Sequence, residues 1–520
     1  SHDQSLCRSL SFSYRFLSEK GLVRKLIAKL HHQNSYLDAS SWTDFYRPNF
    51  DLVNSEMTLV YEGKHTKYRG QATKDNLFKL ELDSKKFQLG ALGQHILNLS
   101  TMAMQRVNDT RNVDVEAPLA SDPLTGYSVR MGKVFKYGEP MGVFAQTYSF
   151  LNPITRFNWG VSLMDDIAFN EKLTMKLGAR YDLFSTKDDR KGGAQNMGYI
   201  DYLLRNMQGA AMNFDPINDK ESGFSFLGVV SYAHSQLLNA SYRFSTGFRV
   251  PNTEEKYFQF YSAWPSFIVL SNRDLKAEKS YNHELEFNGR GKGFGYLLSL
   301  YYNQYSDFIE LKQGTLAVKE PLMQAPKNIS YVKNVNQTSA HLKGFDAALQ
   351  LYPGEWIDLL KGFMVSSAFS YAEGSSSSGM SMLGIQPLTG NIGVEYTDPK
   401  ARWQVNIKAN LYFAKPVSQT TFWDKDAAGK ELIRRYPASF MSNAYTFDAY
   451  GYYKITRNFT VRLGIYNILN SEYLRWDDLR QLTNPALLSN INYFFQDGKK
   501  SLSRFSRPKR YISLALEYKI

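Results

Sequence analysis

The fold this sequence predicts is a membrane-spanning antiparallel β-barrel, and three observations predict it. Many segments alternate apolar and polar side chains with a period of two. Short turns and long polar connections succeed one another along the chain. The aromatic content is high, yet no run of apolar residues is long enough to form a membrane-spanning helix.

In chain order, Leu10–Phe16 reads as a first strand, and Leu22–His32 as a second that rises and ends on His31 and His32. In 173–182, Leu173, Met175, Leu177, Ala179 and Tyr181 oppose Thr174, Lys176, Gly178, Arg180 and Asp182, so one face suits lipid and the other a wetted lumen. The same division puts Leu238, Ala240, Tyr242 and Phe244 on one face, and Phe294, Tyr296, Leu298, Leu300 and Tyr302 on another. Trp403, Val405, Ile407, Ala409, Leu411 and Phe413 oppose Gln404, Asn406, Lys408, Asn410 and Tyr412, a set too polar for a dry core. The C-terminal residues alternate again, Ile512, Leu514, Leu516, Tyr518 and Ile520 against Tyr511, Ser513, Ala515, Glu517 and Lys519.

Tight connections are expected at 18–22, 83–86, 170–172, 234–237, 289–293, 352–362, 397–402 and 454–459. Long polar segments are expected at 109–139, 185–223, 249–279, 307–337, 414–444 and 469–508. Barrels of bacterial outer membranes keep short turns on the periplasmic side and long loops outside, which orients the chain. Eight short turns imply sixteen strands, and the C-terminal strand makes about seventeen. An even number is the rule, so the expectation is a single barrel domain over residues 1–520, about seventeen strands of an expected ~22, incomplete at its N-terminus.

Composition agrees. Hydrophobic residues make up 43% of the 520, but 35 Tyr and 34 Phe supply enough aromatic rings for two interfacial girdles. A mean hydropathy of -0.40 is compatible with a barrel, because half of every wall strand is polar. The formal charge is +13, yet the basic residues are dispersed over loops and lumen faces, which speaks for a weak attraction of anionic ligands or lipopolysaccharide and against nucleic acid. One cysteine, Cys7, excludes an internal disulfide framework and any cysteine-based zinc site.

Few residues propose chemistry. Of the eight histidines, His31 and His32 are the haem-ligand candidates, with a wetted wall position as the alternative reading; His283 shares its face with Leu285 and Phe287 and reads as an outward-facing residue. Glu254-Glu255 and Asp477-Asp478 are adjacent pairs whose members diverge in extended chain, so they read as solvated loop carboxylates. The glycine-rich 289–293 is a turn rather than a phosphate loop, and 374–379 is a flexible connection. No nucleophile, base and acid stand together, so no enzyme is expected.

Two regions carry a resemblance. Residues 446–480, TFDAYGYYKITRNFTVRLGIYNILNSEYLRWDDLR, resemble a strand-turn-strand near the C-terminus of TonB-dependent outer-membrane receptors, in particular the branch that takes iron or haem from haemoglobin, transferrin and lactoferrin. Residues 248–278, FRVPNTEEKYFQFYSAWPSFIVLSNRDLKAE, are similar to the FRAP and NPNL loop of haem receptors, with Pro251, Glu254, Tyr257, Asn272, Leu275, Lys276 and Glu278 matching. The ending RFSRPKRYISLALEYKI, 504–520, extends the likeness. Trp264-Pro265 stands where that family places His-Pro, and no histidine lies between Phe248 and Leu275.

The resemblance implies a barrel in the bacterial outer membrane, in contact with its lipid, that takes up haem or iron from haemoglobin, transferrin or another host protein. Energy would come from the TonB complex acting on a plug, which is not expected in this chain, and haem would be cargo rather than a resident cofactor. A ferric-siderophore receptor, and then a passive porin, are the alternatives. Ligand contacts are expected from Phe248, Arg249, Pro251, Tyr257, Tyr261, Trp264 and Asn272, the aromatic residues by stacking or tyrosine ligation.

Overall fold

The computed structural model describes residues 2–51, 56–118, 127–130, 133–136, 144–148, 153–188, 207–210, 216–263, 266–319, 325–425, 431–436, 442–482 and 506–519. Among these residues seventeen strands form the wall: β1 (His2–Leu17), β2 (Val23–Asp51), β3 (Glu56–Ser84), β4 (Gln94–Pro118), β5 (Ile154–Ala168), β6 (Leu173–Asp188), β7 (Asn218–Ser235), β8 (Leu238–Arg249), β9 (Glu278–Gly291), β10 (Phe294–Val318), β11 (Lys327–Leu351), β12 (Phe363–Ser376), β13 (Thr389–Thr397), β14 (Trp403–Tyr412), β15 (Ala444–Lys454), β16 (Phe459–Tyr466) and β17 (Tyr511–Tyr518). Each pairs antiparallel with the next, so strand order follows sequence order as short turns require. Among the described residues β1 and β17 are not paired with each other.

Pairing in register puts the apolar sets on one continuous outer face. Leu285 of β9 lies between Tyr242 of β8 and Leu300 of β10; Ile407 of β14 lies between Val394 and Ala449; Leu463 of β16 faces Leu514 of β17. Leu10, Phe12, Leu514 and Leu516 are each more than 60% exposed, a face that in water would forfeit on the order of 1.5–3 kcal/mol per side chain and in lipid forfeits nothing. The inner face is a ladder of paired charges and amides. Asp83 accepts from Asn98 at 2.5 Å and pairs with Lys25 at 3.3 Å; Arg180 and Asp182 meet at 2.6 Å; Arg243 meets Glu284 at 2.9 Å. Arg180 and Asp182 lie directly over Gly160, where any β-carbon would collide with both.

All eight expected tight connections lie at one end of the wall. The one between β3 and β4 is the longest departure, extended to residues 85–93 by a two-residue strand and a 3-10 turn, Gly90–Leu92.

At the other end three expectations are corrected. The first strand begins at His2 rather than Leu10. The second runs on to Asp51, so His31 and His32 are mid-strand. Much of the 109–139 and 307–337 segments is strand, since β4 continues to Pro118 and β10 pairs with β11 as far as Val318 and Lys327. The physical reason is common to all three. Above the lipid both faces of a strand are wet, and the apolar alternation that identifies strands disappears while backbone pairing continues.

Candidate ligand-recognition site

The connection between β8 and β9 opens with Val250 and a buried Pro251, then a five-residue helix, Thr253–Tyr257. Asn252 caps it: its side-chain oxygen accepts the Glu255 amide at 2.7 Å, and Glu255 reaches back to the Asn252 amide at 2.9 Å. Glu255 also takes Arg249 at 2.8 Å, and Arg249 reaches Glu278 at 3.2 Å, so the two ends of the connection are tied together at its root. A further acceptor role of Glu278, for the Ile309 amide at 3.0 Å, links that root to β10.

The helix turns its functional groups inward. Lys256 is 5% exposed and donates to Glu221 at 2.6 Å and Asp219 at 2.9 Å. Burial works against its charge, but these two carboxylates outweigh it and hold the ammonium above the ordinary lysine value. The Tyr257 hydroxyl donates to Asp219, and its ring packs on Ile154 and Ile217 beneath the Arg273 guanidinium. Burial first and Asp219 second push the phenol far above its usual range, so it is a donor and not a phenolate. Asp219 is itself held below the carboxylate norm: burial raises it, and the bonds from Tyr257 and Lys256 overcome that.

The second half of the connection is braced by amides. Asn272 donates to the Asn334 carbonyl at 2.8 Å, Asn334 to the Glu255 carbonyl at 3.2 Å, and Asn336 accepts the Lys276 amide at 2.9 Å. The hairpin of Phe260–Ala263 with Ser266–Leu270 adds to β11 by parallel pairing of 267–270 with 330–333. Ile268, Val318, Ile329 and Met207 close into a core, with Gln208 bridged to Lys319, so three separate connections fold as one layer.

The expected site residues therefore divide. Pro251 and Tyr257 are buried, Asn272 is a brace, Arg249 is exposed but tied to two carboxylates, and Phe248 packs edge-on against Phe184 at 6.0 Å. Tyr261 belongs to the first strand of the hairpin; its side chain and all of Trp264 lie outside the described residues. The structure does not bring His31 and His32 to this layer. His31 faces the lumen, bonded to Ser11 at 2.6 Å, while His32 faces outward beside Leu10 and is bonded to Asn76 at 2.7 Å. Sequence reasoning missed Lys256, Asp219, Glu221, Asn334 and Asn336, which come from one connection and the outer ends of β7 and β11 and share no spacing. It read Glu255 as solvated, whereas it is the cap and the Arg249 partner.

A second layer stands over β12–β15. Phe422, Tyr436 and Trp476 pack together, ring centroids 4.9 and 5.2 Å apart, and the Trp476 indole donates to the Leu383 carbonyl at 2.7 Å. Lys415 is 3% exposed, donates to the Ile385 carbonyl at 2.7 Å and lies over the Trp476 ring. With no carboxylate at bonding distance among the described residues, burial lowers its pKa to about 8. The residues of the sequence signature build this layer's frame. Asn467 accepts the Ser471 amide at 3.0 Å and donates to the Ser471 carbonyl at 2.8 Å, and Tyr473 stacks on Tyr412.

Residues 8–468 match the family described as "TonB dependent receptor-like, beta-barrel". The chain belongs to the TonB-dependent receptor family. Its place is the bacterial outer membrane, where the apolar outer face meets lipid and the short turns lie on the periplasmic side. Curated relatives include hemoglobin-binding protein A of Haemophilus influenzae, 26% identical over 71% of this chain and 38% of that one. They also include hemoglobin and hemoglobin-haptoglobin-binding protein A of Haemophilus influenzae, 28% identical over 71% and 36%, and hemoglobin-haptoglobin utilization protein B of Neisseria meningitidis serogroup A, 28% over 67% and 42%. The chain spans about two fifths of the length of these relatives. Two solved structures share the fold: the copper transporter OprC, with a TM-score of 0.61 at 15% identity over 98% of this chain and 65% of that one, and the ferric-catecholate import receptor Fiu of E. coli K12, with 0.53 at 14% over 91% and 61%.

Proposed function

We propose that this chain is the ligand-selecting barrel of a receptor that takes iron or haem from haemoglobin or haemoglobin–haptoglobin. The observation that carries the reading is the likeness, over about 70% of the chain, to proteins named for binding those host complexes. The cross-braced outer layer supports it, because a rigid platform built from several connections suits capture of a macromolecule, which loses less entropy on a preorganised surface. Haem is cargo in this reading, with no resident cofactor, and passage through the lumen draws on the TonB complex acting on a plug. The chain works as a receptor rather than as an enzyme. Arg249, Phe248 and Asn272 then act by holding the platform, and Tyr261 and Trp264 are the proposed contacts.

The test is growth of an iron-starved outer-membrane receptor mutant carrying the full-length protein, together with binding to purified ligands. Growth on haemoglobin or haemoglobin–haptoglobin, lost on deleting the inner-membrane energy complex, is the expected result. Growth on a ferric siderophore but on no haem protein would replace the reading with that of a siderophore receptor. Free diffusion of small solutes without energy would point to a porin.

A further inference from the structure

The lipid-facing side of β8–β12 carries a groove of about 510 Å³ that the uptake reading does not use. Register builds it in two rows. Tyr242, Leu285, Leu300, Phe345 and Tyr371 are direct neighbours on successive strands and make a largely apolar floor. The next row toward the long connections is Phe244, His283, Tyr302, Lys343 and Glu373, so the surface changes within one residue pair from hydrocarbon to polar groups. Such a change marks the outer boundary of the apolar band, at headgroup level.

The polar row presents donors. Glu373 is saturated by its own neighbours: Lys343 at 3.0 Å, the Tyr371 hydroxyl at 2.8 Å and the Gln419 amide at 2.7 Å. Lys343 remains exposed, with further N–H groups to offer on a flexible stem. The Tyr302 hydroxyl accepts from Gln304 at 3.4 Å and keeps its own hydrogen to give, and His283 meets the Tyr242 hydroxyl through Nδ1 at 2.8 Å. A cation flanked by a hydroxyl and an imidazole, above a trough wide enough for an acyl chain, is complementary to one kind of molecule. The groove is continuous with the lipid-facing belt and lies on the side of the long connections, hence in the outer leaflet.

We propose that this groove is a binding site for the acylated, phosphorylated glycolipid of the outer leaflet, with an acyl chain on Leu285, Leu300 and Phe345 and a phosphate at Lys343. The inference rests on the outer-membrane location and is independent of which iron source is carried.

Native mass spectrometry of the full-length protein with bisphosphorylated lipid A, monophosphorylated lipid A and phosphatidylglycerol tests it. Expected are preferential retention of bisphosphorylated lipid A and an affinity about fivefold weaker in Lys343→Ala, the size of one juxtamembrane cation, with Lys343→Arg close to the parent. His32→Ala, in the matching row of another wall sector, should change nothing. The double change His283→Ala and Tyr302→Phe keeps the cation and should still weaken retention; folding of every variant is followed by heat-modifiable gel mobility. Unchanged retention in both Lys343→Ala and the double variant would overturn the site. Equal retention of phosphatidylglycerol would overturn the glycolipid as its occupant.

Discussion

The two outer layers do the same mechanical work with opposite chemistry. Over β6–β11 the connection 250–277 is held by charge and amide pairs that cross from one segment to another: Lys256 with Asp219 and Glu221, Arg249 with Glu255 and Glu278, Asn272 with Asn334. Over β12–β15 the brace is aromatic, and its buried cation, Lys415, has a ring and a carbonyl for company instead of carboxylates. A buried charge with counter-charges makes its neighbours depend on it. A buried charge without them strains the packing it sits in.

The largest effect expected from this contrast is for Trp476→Ala, which removes the ring that Tyr436 and Lys415 pack on and orphans the Leu383 carbonyl, at about 3–5 kcal/mol. Hydrogen exchange should rise in 413–425 and 469–482 and stay unchanged in 250–277. A rise in both would mean that the layers are one unit. Next, Lys256→Met leaves Asp219 and Glu221 facing each other without their cation, at about 2–3 kcal/mol once the partial exposure of Asp219 is discounted. Faster proteolysis confined to 250–277 is the expected readout, and parent-like resistance would show the triad to be dispensable.

The pH response separates the layers further. Lys415 has a folded pKa of about 8 against an ordinary 10.5, so the unfolded layer binds more protons between those values and stability rises with pH across that window. Lys256 is raised above 10.5, so its contribution is complete below 10.5 and is lost only as pH rises through its higher folded value; Asp219 is lowered below 3.8, so its contribution is complete above 3.8 and is lost as pH falls. From pH 8 to 10, exchange protection corrected for intrinsic rates should grow in the aromatic layer and stay level in the charged one. Lys415→Met should abolish the growth, and a persisting slope would assign it to another group. The smallest effect is that of Asn272→Ala, about 1 kcal/mol, seen as modestly faster exchange in 271–277 only.

The wall was readable because the lipid imposes it. Trp403, Val405 and Ile407 had to face outward, and Asn406, 8% exposed against Glu395, had to face the lumen. Seven of the eight turns stand where their residues indicated, and the β3–β4 connection begins at Lys85 and runs to Gly93. The outer layers obey no such external solvent. Tyr257 looked like a surface aromatic because its burial depends on Ile154, Ile217 and Asp219, which enter at the outer ends of β5 and β7, and nothing in its own segment announces them. His32 looked like a ligand candidate because a strand end was expected at it. With β2 carried on to Asp51, parity with Leu10 and Leu30 turns it outward.

Strand length varies around the wall, and that has a consequence for approach. β2 and β3 are 29 residues each and β4 is 25, whereas β13 to β17 have 8 to 11. Crossing the hydrocarbon takes ~9–11 residues, so the first sector carries on the order of 15 residues beyond the lipid, a paired sheet standing ~50 Å tall. β10 and β11, 25 residues each, rise in the same way, so the mouth carries two raised sectors, β2–β4 and β10–β11, and a low sector at β13–β17. A large body drifting in from the medium is stopped at the raised sectors and admitted over the low one. It reaches the two layers in a preferred orientation before any specific contact is made.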